Sequence, residues 1–174
     1  MKQTDVLTTF LAIEHFKKEG GNFIEEKKFE NAIKSFDSAL GCYDALPADI
    51  SKLESAGILY LKAIALAELN KKEEAIDNLN KALLIDPEKL HALLYKGVIL
   101  QSMNRHEESI GVFNELLEIE PEATSALHYK AISLNLLNRG KEAIEVLESI
   151  IKIDPEDKDA VDYKEKLLTK FNLL

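Results

Sequence analysis

The sequence has no tryptophan, a single cysteine and few chain breakers, with 7 glycines and 4 prolines among 174 residues. A fold of many short strands joined by turns would need more breakers, and the abundant Leu, Ala, Ile, Glu and Lys favour long helices instead. Cys42 has no partner for an internal disulfide, which suits a reducing compartment. No secretory leader is visible: the apolar stretch 6–13 is interrupted by Thr8 and Thr9, runs into Glu14 and lacks a small-residue cleavage site. The expected location is therefore cytoplasmic. The longest apolar run, 57–67, is too short to span a membrane and contains Lys62.

Clustered cations are missing as well. Lys and Arg number 22 against 31 Asp and Glu, a formal charge of −9, and no basic run collects into a patch. Phosphate backbones and anionic membrane surfaces would be repelled, so neither nucleic acid nor membrane is an expected partner. There is no Gly-rich phosphate loop, no Cys pair at ligand spacing and no His-Glu-x-x-His run. An enzyme, a cofactor and a resident metal are accordingly not expected. His91 and His128 belong to the first helices of adjacent units, and two candidate ligands read more simply as surface or peptide-contacting histidines.

What the sequence does have is a period. Asp86-Pro87, Glu120-Pro121 and Asp154-Pro155 recur every 34 residues. Leu93, Gly97 and Leu100 recur as Leu127, Ala131 and Leu134, and earlier as Leu59, Ala63 and Leu66. A second set follows the same spacing: Ala75 with Leu79, Ser109 with Phe113, and Ala143 with Leu147, begun by Ala32 with Phe36. The interval from Ala32 to Ala75 is 43 residues, which places an insertion of nine within 41–55, around Pro47.

Apolar spacings of three and four put each set on one face of a helix, so each period is a helical hairpin. The acid-proline pairs are expected to start each first helix, with the acid as cap and the proline in the first turn. Asn70-Lys71, Asn104-Arg105 and Asn138-Arg139-Gly140 mark the tight turns to the second helices. Gly20, Ala63, Gly97 and Ala131 fall mid-helix on the apolar face, where a small residue lets the partner helix approach closely. Lys62, Lys96, Lys130 and Lys164 also keep the 34-residue spacing; a positive ladder is one reading, and the simpler one is a stem packed between repeats with its ammonium snorkelling to solvent or to a nearby carboxylate.

A large apolar residue, a small one four on, an apolar one three further, then Ala, a large apolar residue and Pro: this pattern resembles the tetratricopeptide repeat. The resemblance implies an all-α, right-handed superhelix of about four helix-turn-helix repeats plus a C-terminal capping helix. Its expected divisions are an N-terminal helical extension at 1–12, repeats at 13–55 (with the insertion near 41–55), 56–89, 90–123 and 124–157, and a capping helix and tail at 158–174. Leu59, Leu93 and Leu127 stand where the family often has an aromatic residue, and Ser109 replaces the usual Ala.

At 100° per residue, the face of each first helix opposite the packing stripe carries Tyr60, Leu61 and Ile64, then His91, Leu94, Tyr95 and Val98, then His128, Tyr129, Ile132 and Leu136. Helices apolar nearly all round are buried or partner-binding. These residues are the expected peptide-binding groove, with Leu94, Tyr95, Tyr129 and Ile132 at its centre, and recurring tyrosines suit binding anchors. The first unit also resembles the opening repeat of co-chaperones that clamp an acidic C-terminal carboxylate. Of that clamp only Lys17 matches, since Gly21 and Leu61 replace its asparagines and His91 and Tyr95 its Lys and Arg. The expected function is non-enzymatic binding of an apolar helical or extended segment of another protein. The alternative is a self-associating scaffold whose apolar tail, Phe171-Asn172-Leu173-Leu174, fills its own or a neighbour's groove.

Overall fold

The computed structural model describes residues 3–47 and 53–173. Among them are the helices α1 (Gln3–Glu25), α2 (Phe29–Asp44), α3 (Leu53–Glu68), α4 (Lys72–Ile85), α5 (Leu90–Ser102), α6 (His106–Ile119), α7 (Thr124–Leu136), α8 (Gly140–Ile153) and α9 (Lys158–Lys170), with no strand. The fold is all-α and of the tetratricopeptide type. Among the described residues, no helix is long and apolar enough to cross a membrane.

The chain forms two compact units, Met1–Ala92 and Leu93–Leu174. In the first, α1 packs on α2, α2 on α3, and α3 on α4. Its core holds Ile13, Phe36, Tyr43, Leu46 and Ile58, with Val6, Phe10 and Phe16 packed against it. The N-terminal extension is therefore continuous with the first helix and part of the core. In the second, α6 packs on α7, α7 on α8, and α8 on α9, around Leu127, Leu134, Ile144, Leu147, Ile150 and Leu167. The stripe expected to meet the second helices is buried throughout: Leu59, Ala63 and Leu66, Leu93 and Leu100, and Leu127, Ala131 and Leu134 are each at most 7% exposed.

The acid-proline pairs do not start the first helices. Asp86, Glu120 and Asp154 are the C-caps of α4, α6 and α8, and α5, α7 and α9 begin three residues after each proline. Proline disfavours the helical region for the residue before it, and these three residues have φ of −134°, −130° and −131°. The pair ends a helix. The acid's carbonyl then accepts the N–H three residues on, from Lys89, Ala123 and Asp157, closing a turn with proline inside it.

The polar breaks fall where the sequence places them. Asn70, Asn104 and Asn138 take φ near +60°, as does Lys27 in the first hairpin. The next N–H reaches back five residues, from Lys71 to the Leu66 carbonyl, Arg105 to Leu100 and Arg139 to Leu134, which is the Schellman closure. Lys28 does the same to Phe23. The nine-residue insertion is shared out: α2 is two residues longer than α4, α3 three longer than α5, and the connection takes the rest. Residues 48–52 of that insertion lie outside the described residues. On its near side Leu46 is 5% exposed, and the Tyr43 hydroxyl donates to Glu54 at 2.9 Å across it. Burial first, and then this bond, push the Tyr43 phenol well above its ordinary range.

Candidate functional site

In the first unit, Tyr60, Leu61 and His91 come together. Tyr60 and Leu61 lie on α3 and His91 in the first turn of α5, with the Tyr60 and His91 rings edge to face at 6.4 Å. They line a cleft of about 570 Å³ whose apolar surface includes Leu53, Gly57 and Ile58. Its charged residues are Lys17 from α1, Glu54 from α3, and Asp86 and Lys89 from the turn before α5. Lys17 is paired with Glu14 at 2.5 Å, and Glu54 holds the Tyr43 hydroxyl. Asp86 and Lys89 stand 3.9 Å apart. Burial raises the Tyr60 phenol. Ile64, one turn further along α3, is half-buried.

In the second unit, Leu94, Tyr95 and Val98 on α5 and Ile132 on α7 are half-buried, while Leu136 is 53% exposed. Two residues expected on the same face also make contacts between helices. The Tyr129 ring stacks on Phe113 at 6.0 Å and 17°, and its carbonyl accepts the Gln101 side-chain N–H at 3.0 Å. Tyr129, itself half-buried, thus packs between α6 and α7. His128 Nε2 donates to Asp157 Oδ2 at 2.9 Å, tying α7 to the start of α9. Asp157 also accepts the Ala160 N–H as the cap of α9, and these two bonds, the backbone one foremost, hold its carboxyl below the usual range.

Gln101 directs both bonds of its side-chain N–H group to α7, reaching the Tyr129 carbonyl and the Ser133 hydroxyl at 2.8 Å. Ser133 in turn meets Ser109 at 3.2 Å, and both serines are fully buried. Two of the periodic lysines reach carboxylates: Lys62 pairs with Asp37, and Lys164 with Glu148 at 2.6 Å. Burial lowers the Lys130 ammonium, opposed by Glu142.

Phe171 lies against Gly140 so closely that a side chain at Gly140 would meet its ring, and Leu173 packs on the same cluster. Leu174 lies outside the described residues. Sequence reasoning missed Lys89 and Asp86 as cleft residues.

No curated protein sequence matches the chain. Among solved structures it is similar to MamA, residues 41 to the end, from Desulfovibrio magneticus, with 16% identity, 92% of this chain and 86% of that one covered, and a TM-score of 0.78. A tetratricopeptide repeat protein from Parabacteroides merdae matches at 17% identity, 93% and 68% coverage, and TM-score 0.78. YrrB, described as a tetratricopeptide protein with an unusual peptide-binding site, matches at 18% identity, 86% and 73% coverage, and TM-score 0.70. At these identities the likeness is one of fold. The tetratricopeptide repeat family model matches residues 60–123 and 96–158, and with those two overlapping spans covering more than half the sequence, the chain belongs to the tetratricopeptide repeat family.

Proposed function

We propose that this chain is a non-enzymatic binding module that receives an apolar helical or extended segment of another protein on the open faces of its first helices. The family is one of protein-interaction modules, which sets the class of activity. The observation that carries the finer reading is the partial exposure of a regular apolar set. Leu61, Ile64, Leu94, Val98 and Ile132 are half-buried, whereas the stripe on the opposite side of the same helices is buried almost completely. Folding accounts for the stripe. Within the second unit, apolar residues left at the surface at one register in successive repeats, as Val98 and Ile132 are, are what a docked segment would cover. YrrB offers a parallel in its described peptide-binding site.

Replacing Leu94 and Ile132 together by Glu tests the reading. Proteins retained from native lysate by the parent should fall to background on the double variant, with helicity and melting temperature nearly unchanged because both positions already meet water. Retention of the same proteins would show that these faces are not the working surface. Dissociation of an oligomer by the double change, or by deletion of 171–174, would favour the self-associating scaffold. That alternative requires Phe171 to leave Gly140.

A further inference from the structure

The ladder of lysines on the first helices is paired at its ends and not throughout. Lys62 is held by Asp37 and Lys164 by Glu148, although these lysines are only 18% and 27% exposed. The two acids share one register of the repeat, and between them that register reads Asn80 and Asn114. An amide brings no charge to an ammonium. Among the described residues, Lys130 accordingly makes neither an ion pair nor a hydrogen bond. It does not simply point into water either, being half-buried on α7, which packs on both α6 and α8. The carboxylate whose charge it feels, Glu142, already accepts two bonds from Arg139.

An ammonium shielded from water without a bonded acceptor favours its neutral form, and the neutral amine is the nucleophile. Burial, first of all, lowers the Lys130 ammonium from the ordinary lysine range; Glu142 works against this and Arg139 with it. Lys62 and Lys164 have the same place in the repeat, but their carboxylates favour the charged form. We infer that Lys130 is an acylation site, whose amine takes the acyl group of an activated donor, a thioester or an acyl phosphate. The Nζ lone pair attacks the acyl carbon and an N–C bond forms. The C–S or C–O bond breaks, thiolate or phosphate leaves, and the proton released by nitrogen passes to the leaving group or to water. The amide that results carries no charge, so the modification removes a half-buried ammonium and leaves the Arg139–Glu142 pair in place.

Limited acetylation of the full chain at neutral pH, read lysine by lysine in the mass spectrometer, tests this. Two donors are used, acetyl phosphate and the uncharged thioester S-acetyl-N-acetylcysteamine. In the folded chain Lys130 should react several-fold faster than Lys62 and Lys164, and in urea the three rates should converge. Asn114→Glu puts a carboxylate in the register that Glu148 occupies for Lys164, and it should slow Lys130 to the rate of Lys164. Conversely, Glu148→Asn should speed Lys164. Circular dichroism confirms that both variants fold, and either alone decides the matter if the other does not. The donor that shows the larger preference identifies the source of the acyl group. No preference for Lys130 with either donor, a preference that persists in urea, or rates unmoved by both substitutions overturns the inference.

Discussion

Packing at single residues follows a rule of paired sizes. Gly20 faces Phe36 and Gly97 faces Phe113, and at both glycines an added methyl group would collide with the ring. Where the first helix carries Ala instead, at Ala63 and Ala131, the residue 16 on is Leu79 and Leu147. All four of these partners are fully buried. Gly97→Ala should therefore destabilise by about 1–3 kcal/mol through overpacking, and Gly97→Leu by at least as much. Phe113→Leu on the Gly97→Ala background should recover much of the loss, because it recreates the combination found at Ala131 and Leu147. Urea unfolding of the two single variants and the double gives the coupling, and simple additivity would contradict the pairing. Gly111→Ala serves as a control: it is exposed in mid-helix with no atom near its missing side chain, so it should gain about 0.5–1 kcal/mol. The small residues were legible in the sequence because they repeat. The Phe113–Tyr129 stack was not, since Tyr129 sits on the outward face by helical angle and the ring's direction depends on its side-chain torsions.

At the level of helices, endings are specified more tightly than beginnings. The helices that end before a polar break share one closure, a residue at φ near +60° followed by an N–H that reaches back five residues. Asn occupies the strained place at 70, 104 and 138, and at 172 it ends α9 in the same way, with Leu173 reaching Leu168. Lys27 is the exception, at φ 57°. Asn and Gly tolerate this region far better than a long side chain does, so Lys27→Asn or Lys27→Gly should stabilise by about 0.5–1 kcal/mol. A lower midpoint in thermal unfolding for both would contradict the closure at this turn. The Asn signals were readable because their chemistry is local. The acid-proline pairs misled because proline is compatible both with the first turn of a helix and with the turn after one. The φ of the preceding acid decides between the two, and no spacing in the sequence encodes it.

Across the whole chain, the charges are arranged for pairing between and within helices rather than for a field of one sign. Several of the cations that recur with the repeat, which could have formed a basic stripe, are engaged by carboxylates. Lys62 is held by Asp37 and Lys164 by Glu148. Arg105 and Arg139 each make paired hydrogen bonds to the glutamate three residues on, Glu108 and Glu142, whose carboxyls are lowered chiefly by those bonds. Such exposed pairs contribute little to stability, but they neutralise the repeat's cations in place. The formal charge of −9 would repel a phosphate backbone, and the sequence has no run of Lys and Arg to offset it. The intact protein should therefore give no shift of a duplex of about 20 base pairs or of a single-stranded RNA at low salt, up to about 10 µM, where even non-specific binders associate. A complex that forms in that range and dissolves as salt is raised would show that some of these arginines and lysines leave their carboxylates for phosphate. Arg105→Gln and Arg139→Gln would then identify which of the repeat's cations had been free to move.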